Sequence, residues 1–280
     1  MTQTFGVVGL GRMAQALLFP LLESGLIERG SVRAVVAREA SARRLADAHG
    51  LVVSTDPGEA WRAPVVLLAV KPQQLEAAAA AAFAPREAGS KPVLSEPVPG
   101  EEGSRLLISV LAGVTLRRLE SLFPGWQCVR AVPNTPCLVR SGLTGLAWGA
   151  GIAPERQAWV ERLFAQVGEV QELPETQLDA FLALTSSGPA FLALVAEAMA
   201  DGAVAAGLPR ALASHLAHRT MAGTAALLDQ QELHPGQLKD MVSSPGGTTI
   251  AGLRQLERQG LRSALFEAVL AAAERSRQLG

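Results

Sequence analysis

The spacing of hydrophobic positions changes character once along the chain. Up to about residue 174, short β-branched and leucine-rich runs at 5–8, 32–37, 65–70, 106–111 and 129–132 alternate with stretches of helical spacing. Strands separated by helices in this rhythm predict a doubly wound parallel sheet. The run Val65, Val66, Leu67, Leu68, Ala69, Val70 has no polar interruption, which predicts a central strand covered on both faces. From Glu175 onward the strand pattern stops, and Ala- and Leu-rich helices are predicted at 189–206, 210–231, 248–259 and 261–278, punctuated by Gly207, Pro209, Pro235 and Gly260. In the first of these helices Phe191, Leu192, Leu194, Val195, Ala198 and Met199 occupy more than one face. A monomer covers no such surface, so an oligomer is expected. The expected architecture is an N-terminal Rossmann-type α/β domain, residues 1–174, followed by an all-helical domain, residues 175–280.

Composition narrows the partners. With 25 Lys+Arg against 26 Asp+Glu among 280 residues, the formal net charge is -1, which gives no general attraction for a nucleic-acid backbone. Two cysteines, Cys128 and Cys137, are too few to staple the chain and do not form a zinc-ligand set, so a reducing compartment and no metal are expected. No uninterrupted apolar run of roughly 18 residues is present, and Met1 leads directly into a strand pattern. The expectation is a cytoplasmic protein with neither membrane nor nucleic acid as partner. The Pro- and Gly-rich stretch 85–103 predicts an exposed loop without chemistry.

Candidate chemistry begins directly after the first strand. Val8 is followed by Gly9, Leu10, Gly11, Arg12, Met13 and Ala14, a G-x-G-x-x-A signature opening an amphipathic run. Gly9 allows the tight turn, Gly11 lets backbone approach a pyrophosphate, and small Ala14 lets helix pack close to strand. The second strand ends at Arg38 instead of an acidic residue, which favours a 2′-phosphate and hence NADPH, with NADH as the alternative; Glu39 places an opposing charge alongside. Lys71 and Pro72 follow the central strand, at the ligand crevice or, for Lys71, as a surface charge; Ala112 and Gly113 follow the next, where small residues suit either a nicotinamide ring or close packing. In the helical half, Ser243, Ser244, Pro245, Gly246, Gly247, Thr248 and Thr249 gather hydroxyls and free N–H groups at one helix start, a receptor for a small carboxylate or an elaborate helix cap. Of the four histidines, His215 and His218 stand three apart without a third ligand, and His49 and His234 lie near termini, so structural or surface roles are expected.

These motifs together resemble the pyrroline-5-carboxylate reductase family over nearly the whole chain. The matching pieces are residues 9–14, 69–72, 112–113, 132–136, 187–190, Asp201-Gly202, 207–209 and above all 238–249. The resemblance implies a helical dimerisation domain that interlocks two subunits, dimers gathered into a decamer, and reduction of 1-pyrroline-5-carboxylate to L-proline by NADPH or NADH. It further implies that Val8, Gly9, Leu10, Gly11, Arg12, Met13, Ala14, Arg38, Asp56, Ala69, Val70, Lys71, Pro72, Ala112, Gly113 and Asn134 face the cofactor. Glu175, Glu232, Ser244, Gly247, Thr248 and Thr249 would surround the substrate, partly from the second subunit, with Thr249 as the catalytic hydroxyl. Ser186 and Phe191 depart from the glycine and tyrosine usual in the family. The rival readings are a non-catalytic NADP-binding regulatory protein and a reductase of another small imine or of a β-hydroxyacid.

Overall fold

The computed structural model describes residues 4–84 and 105–279; the whole 85–103 stretch, expected to be an exposed loop, lies outside the described residues. Eight strands form one sheet: β1 (Phe5–Val8), β2 (Val32–Val35), β3 (Val52–Ser54), β4 (Val65–Leu68), β5 (Arg105–Ser109), β6 (Trp126–Pro133), β7 (Gly142–Trp148) and β8 (Gly168–Glu172). Their order is β3-β2-β1-β4-β5-β6-β7-β8. Pairing is parallel from β3 through to β6, β7 runs antiparallel to β6, and β8 runs parallel to β7.

Alternation along the central strands divides their side chains between two cores. Phe5, Val7, Val65, Leu67, Leu106 and Ile108 point into one, with Leu17, Leu18 and Leu21 of helix α1 (Arg12–Glu23) and Val160, Leu163 and Phe164 of a later helix, Pro154–Ala165. Val8, Val66, Leu68 and Leu107 point into the other. There they meet the indole of Trp61, which is stacked on Phe123, and the apolar side chains of α4 (Leu75–Phe83) and α5 (Leu116–Leu122). Because both faces are covered, the central strands need no polar positions, as the sequence pattern implied.

Three strands, β3, β7 and β8, were not predicted. They are edge or near-edge elements whose residues are partly exposed or glycine-broken, so no sustained apolar run marks them. The remaining helices are α2 (Glu39–His49), α3 (Gly58–Trp61), α6 (Pro154–Ala165), α7 (Leu178–Leu182), α8 (Gly188–Ala205), α9 (Arg210–Gln230), α10 (Pro235–Met241), α11 (Thr248–Arg258) and α12 (Leu261–Arg277), with a π-helical turn Ala183–Ser187 between α7 and α8. Helix α10 falls where Pro235 was read as a break. Pro235 instead occupies the first helical position, where no N–H is needed, and His234 caps it by accepting the Gly236 amide at 3.1 Å.

Packing divides the chain elsewhere than the expected 174/175. The described residues through Ser186, together with those from Ala273 on, make one compact unit, and Ser187–Ala272 make the second. Leu178 of α7 is fully buried in the core beside Val132 and Ala147, which fastens this first helix after β8 to the sheet. In the second unit α8 packs on α9 through Ala200, Ala213 and Ala217, supported by Ala203 and Val204.

Candidate active site

In the sheet-bearing unit a groove of about 670 Å³ opens beyond the ends of β1, β2 and β4. Its position follows from chain topology: strand order reverses at β1, and the turns on either side of that point diverge. Gly9 has φ +92°, and a Cβ there would lie 2.8 Å from the Ala69 carbonyl oxygen, so only glycine allows β1 and β4 to continue side by side into their turns. Gly11 differs. A Cβ at Gly11 would meet no atom within 4 Å, and its φ is an ordinary -77°. The fold does not require glycine at Gly11, whereas a pyrophosphate seated on the backbone would. Helix α1 begins there with neither a side-chain cap nor an acidic residue in its first turn, which leaves its N–H groups for an anion.

Arg38 and Arg44 line the same groove, and neither has an ion-pair partner among the described residues. Glu39, which stood beside Arg38 in sequence as an opposing charge, turns elsewhere: it accepts from Thr55 Oγ1 at 3.2 Å and lies 3.6 Å from Arg43. Two guanidinium groups are thus left for a phosphate, which fits a 2′-phosphorylated dinucleotide.

Of the residues expected at the cofactor, Val8, Gly9, Leu10, Gly11, Arg12, Arg38, Ala69, Val70 and Lys71 line the groove. Met13 and Ala14 form the first turn of α1, and Ala14 is fully buried in the close helix–strand contact for which a small residue was expected. Pro72 starts a short 3₁₀ turn after Lys71. The others are placed differently. Asp56 Oδ1 accepts the Gly58 amide at 2.8 Å and so opens α3. Ala112 is exposed outside the groove lining. Gly113 is bare for another reason: at φ +75°, a Cβ would lie 2.7 Å from Leu279 Cβ, so the glycine admits the last turn of the chain. Asn134 is 4% exposed, with both ends of its amide engaged by backbone. Ser41 and Thr55 also line the groove and were missed, since single hydroxyl residues after a strand carry no distinctive signal.

The helical unit holds the second candidate. Gly246 (φ +69°) turns the chain, and Gly247 precedes α11 with no side-chain cap. A side chain on Gly247 would strike Ser244 Oγ, which keeps the turn tight around the first N–H groups of α11. Thr248 and Thr249 occupy that first turn, Thr248 exposed and Thr249 half-buried, and the neighbouring Ser243 hydroxyl is buried without a partner among the described residues. Glu232 lies just beyond α9 in the left-handed region, φ +49°, uncommon for a non-glycine residue. Glu175, expected at the substrate, is in the sheet-bearing unit instead. Its Oε1 accepts the Leu116 amide at 2.6 Å and lies 3.2 Å from Arg130 Nη1, so the carboxylate is committed to the start of α5 and to a buried guanidinium.

Both cysteines are buried. Burial, with a smaller contribution from Glu120, pushes the Cys128 thiol up to about 12, and burial also raises Cys137. No group of three or more potential metal ligands occurs among the described residues.

Two family models match the chain, one in each half. The family model for pyrroline-5-carboxylate reductase dimerisation matches residues 175–279, and the model for NADP oxidoreductase, coenzyme F420-dependent, matches residues 4–99. A pyrroline-5-carboxylate reductase of Synechocystis is 42% identical over 283 residues, covering 100% of this chain and 99% of its own. That of Glycine max is 37% identical, covering 99% and 96%. Among solved structures, the Plasmodium falciparum pyrroline carboxylate reductase with NADP bound superimposes with a TM-score of 0.84 at 26% identity, covering 99% of this chain and 98% of that one. The Coxiella burnetii enzyme gives 0.84 at 29% identity, covering 100% and 99%. With relatives this similar over the whole length and the dimerisation region matched, the chain belongs to the pyrroline-5-carboxylate reductase family.

Proposed function

We infer that this protein reduces 1-pyrroline-5-carboxylate to L-proline with a reduced nicotinamide dinucleotide, NADPH before NADH, as a homodimer. Family membership carries the reaction. The observation that carries the cofactor is the groove itself: an uncapped helix start, a glycine at Gly11 that packing does not demand, and two arginines without an ion-pair partner among the described residues. When bound, the reduced nicotinamide supplies the hydride that saturates the C=N bond.

The residues that would hold the dinucleotide are Gly9, Gly11 and Arg12 at the pyrophosphate, Arg38 with Arg44 at the 2′-phosphate, and Val70 and Lys71 along the turn after β4. In the helical unit the Gly247 and Thr248 N–H groups receive the substrate carboxylate, with Ser244 and Glu232 around it. Thr249 then acts on the imine nitrogen. That nitrogen becomes more basic as charge leaves the double bond, so a hydroxyl held nearby stabilises the transition state more than the ground state and passes a proton inward from water. Glu175 drops out of this set, because its carboxylate is already spoken for by backbone and Arg130. We further propose a cytoplasmic location and assembly of the dimers into a decamer.

A steady-state assay with pyrroline-5-carboxylate, following loss of NADPH absorbance, tests the reading directly. Turnover is expected, and its absence in a folded, NADPH-binding protein would favour the regulatory alternative. Arg38→Ala is expected to raise the KM for NADPH more than that for NADH; equal effects on both would remove Arg38 from the 2′-phosphate.

A further inference from the structure

The chain passes between its two compact units twice, at Ser186/Ser187 within the π-helical turn and at Ala272/Ala273 within α12. Both passages are tied, on the sheet-bearing side, to β6 and the residue following it. Arg130 lies on β6 and Asn134 directly after it, four residues on along an extended chain, so the two share a face.

Asn134 serves the first passage. Its Nδ2 donates to the Thr185 carbonyl at 2.9 Å while its Oδ1 accepts the Leu143 amide of β7 at 2.8 Å. The side chain therefore pins the π-turn to two neighbouring strands. Beside it Ser186 Oγ donates to the Pro133 carbonyl at 3.4 Å, and Thr185 Oγ1 donates back to Phe181. A π-turn inserts a residue into the helical ladder, and such turns are a recurrent place for functional adjustment.

Arg130 serves the second passage through an intermediary. Only 2% exposed, it places Nη2 3.3 Å from Asp179 Oδ1, and the same oxygen accepts from Ser276 Oγ of α12 at 2.7 Å. Its other terminal nitrogen meets Glu175, which in turn holds the start of α5. A buried guanidinium with two carboxylates is expensive to desolvate relative to an apolar cluster of equal volume, so net stability is not what this group explains.

We propose that Arg130 and Asn134 are positioning residues for the reaction, rooting on one face of β6 both stretches of chain that lead into the helical unit. The inference rests on the reading that substrate is held in the helical unit and cofactor in the other. Slack at either root then costs turnover, while the groove that binds NADPH is untouched. It also explains why a motif with an asparagine at Asn134 accompanies a cofactor fold in which that side chain does not reach the groove.

The test uses the full-length protein. Asn134→Asp keeps an oxygen for the Leu143 amide but has no N–H for Thr185. Amide hydrogen exchange in peptides spanning residues 183–190 is expected to quicken, NADPH affinity by fluorescence titration to stay within about twofold, and kcat to fall about 10-fold, as small misplacements of reacting groups do. Ser276→Ala is expected to act in the same direction by about threefold, with Ser276→Thr restoring kcat because the hydroxyl returns. Faster exchange with unchanged kcat would reduce the network to a structural one and overturn the proposal. A loss of NADPH affinity in step with kcat would overturn it too, by placing Asn134 at the cofactor. If Asn134→Asp does not fold, the two Ser276 variants decide by the same criteria. Absence of pyrroline-5-carboxylate reduction in the unsubstituted protein would instead defeat the functional reading, and it is seen before any variant is made.

Discussion

The two units of this chain are stabilised in opposite ways. The sheet-bearing unit closes two apolar cores around its strands, and large side chains such as Trp61, Phe123, Leu18 and Leu146 are completely hidden. In the helical unit the buried side chains among the described residues are the alanines Ala196, Ala200, Ala213 and Ala217, while Leu192, Leu194, Met199, Ile250, Leu265, Phe266 and Leu270 face outward. The helical stretch Glu175–Ala205, 31 residues long, has a window of mean hydropathy 1.6 of which 17% is buried, enough by length and composition to cross a membrane. Its membership of a dimerisation domain gives the exposed face a different use. One unit completes its core within a single chain; the other needs a second copy to do so.

The sharpest way to break this contrast is to charge the outward face. Leu194→Asp combined with Phe266→Asp is expected to convert the dimer to a monomer in light scattering and to remove reductase activity, leaving the groove able to bind NADPH. A double variant that stayed dimeric and active would show that this face is not where the second copy sits.

Next in size is Thr249→Ala, expected to lower kcat by about 10²-fold to 10³-fold, the range for loss of one preorganised transition-state donor. Thr249→Ser should recover most of it, and Thr248→Ala should be mild because a backbone N–H survives the change. A raised KM with kcat intact would mean that Thr249 only holds the ground state.

Within the sheet-bearing unit, Gly9 and Gly11 separate stability from binding. Gly9→Ala is expected to cost about 1–3 kcal/mol in chemical denaturation, through its positive φ and the overlap with Ala69. Gly11→Ala should change stability by less than about 0.5 kcal/mol, since open space receives the methyl group. It should nevertheless weaken NADPH about 10-fold, equivalent to one lost backbone hydrogen bond. Similar melting temperatures for the two variants would contradict the distinction.

The smallest effect concerns pH. Cys128 is neutral when folded, and its thiol is raised from 9.0 to about 12. Once unfolded, the thiol ionises at lower pH, so the stabilisation present below pH 9.0 is lost as pH rises toward about 12. The melting temperature should therefore fall over that window, and less steeply in Cys128→Ala. Equal slopes would mean that Cys128 does not ionise on unfolding in that range.

The sequence by itself determined the doubly wound core, the groove-lining turn from Val8 to Arg12, the cationic end at Arg38 and the hydroxyl-rich start of α11. Each is a local signal, written in a run of neighbouring residues: an unbroken apolar strand, a glycine spacing, a cluster of hydrogen-bonding side chains before a helix. Tertiary structure alone decided the roles of Asn134, Glu175 and Gly113. The family resemblance places Asn134 near the cofactor, and the strand-end position leaves Gly113 open to either the cofactor or packing; in the structure Asn134 pins a turn 51 residues away and Gly113 makes room for Leu279. Glu175 is likewise held by Leu116 and Arg130, 59 and 45 residues distant. The glycine-broken β7 and the edge strand β8 were settled the same way, by pairing with neighbours. Contacts between residues far apart in sequence leave no periodic trace in either partner, so which atoms a side chain meets is fixed only when the chain has folded.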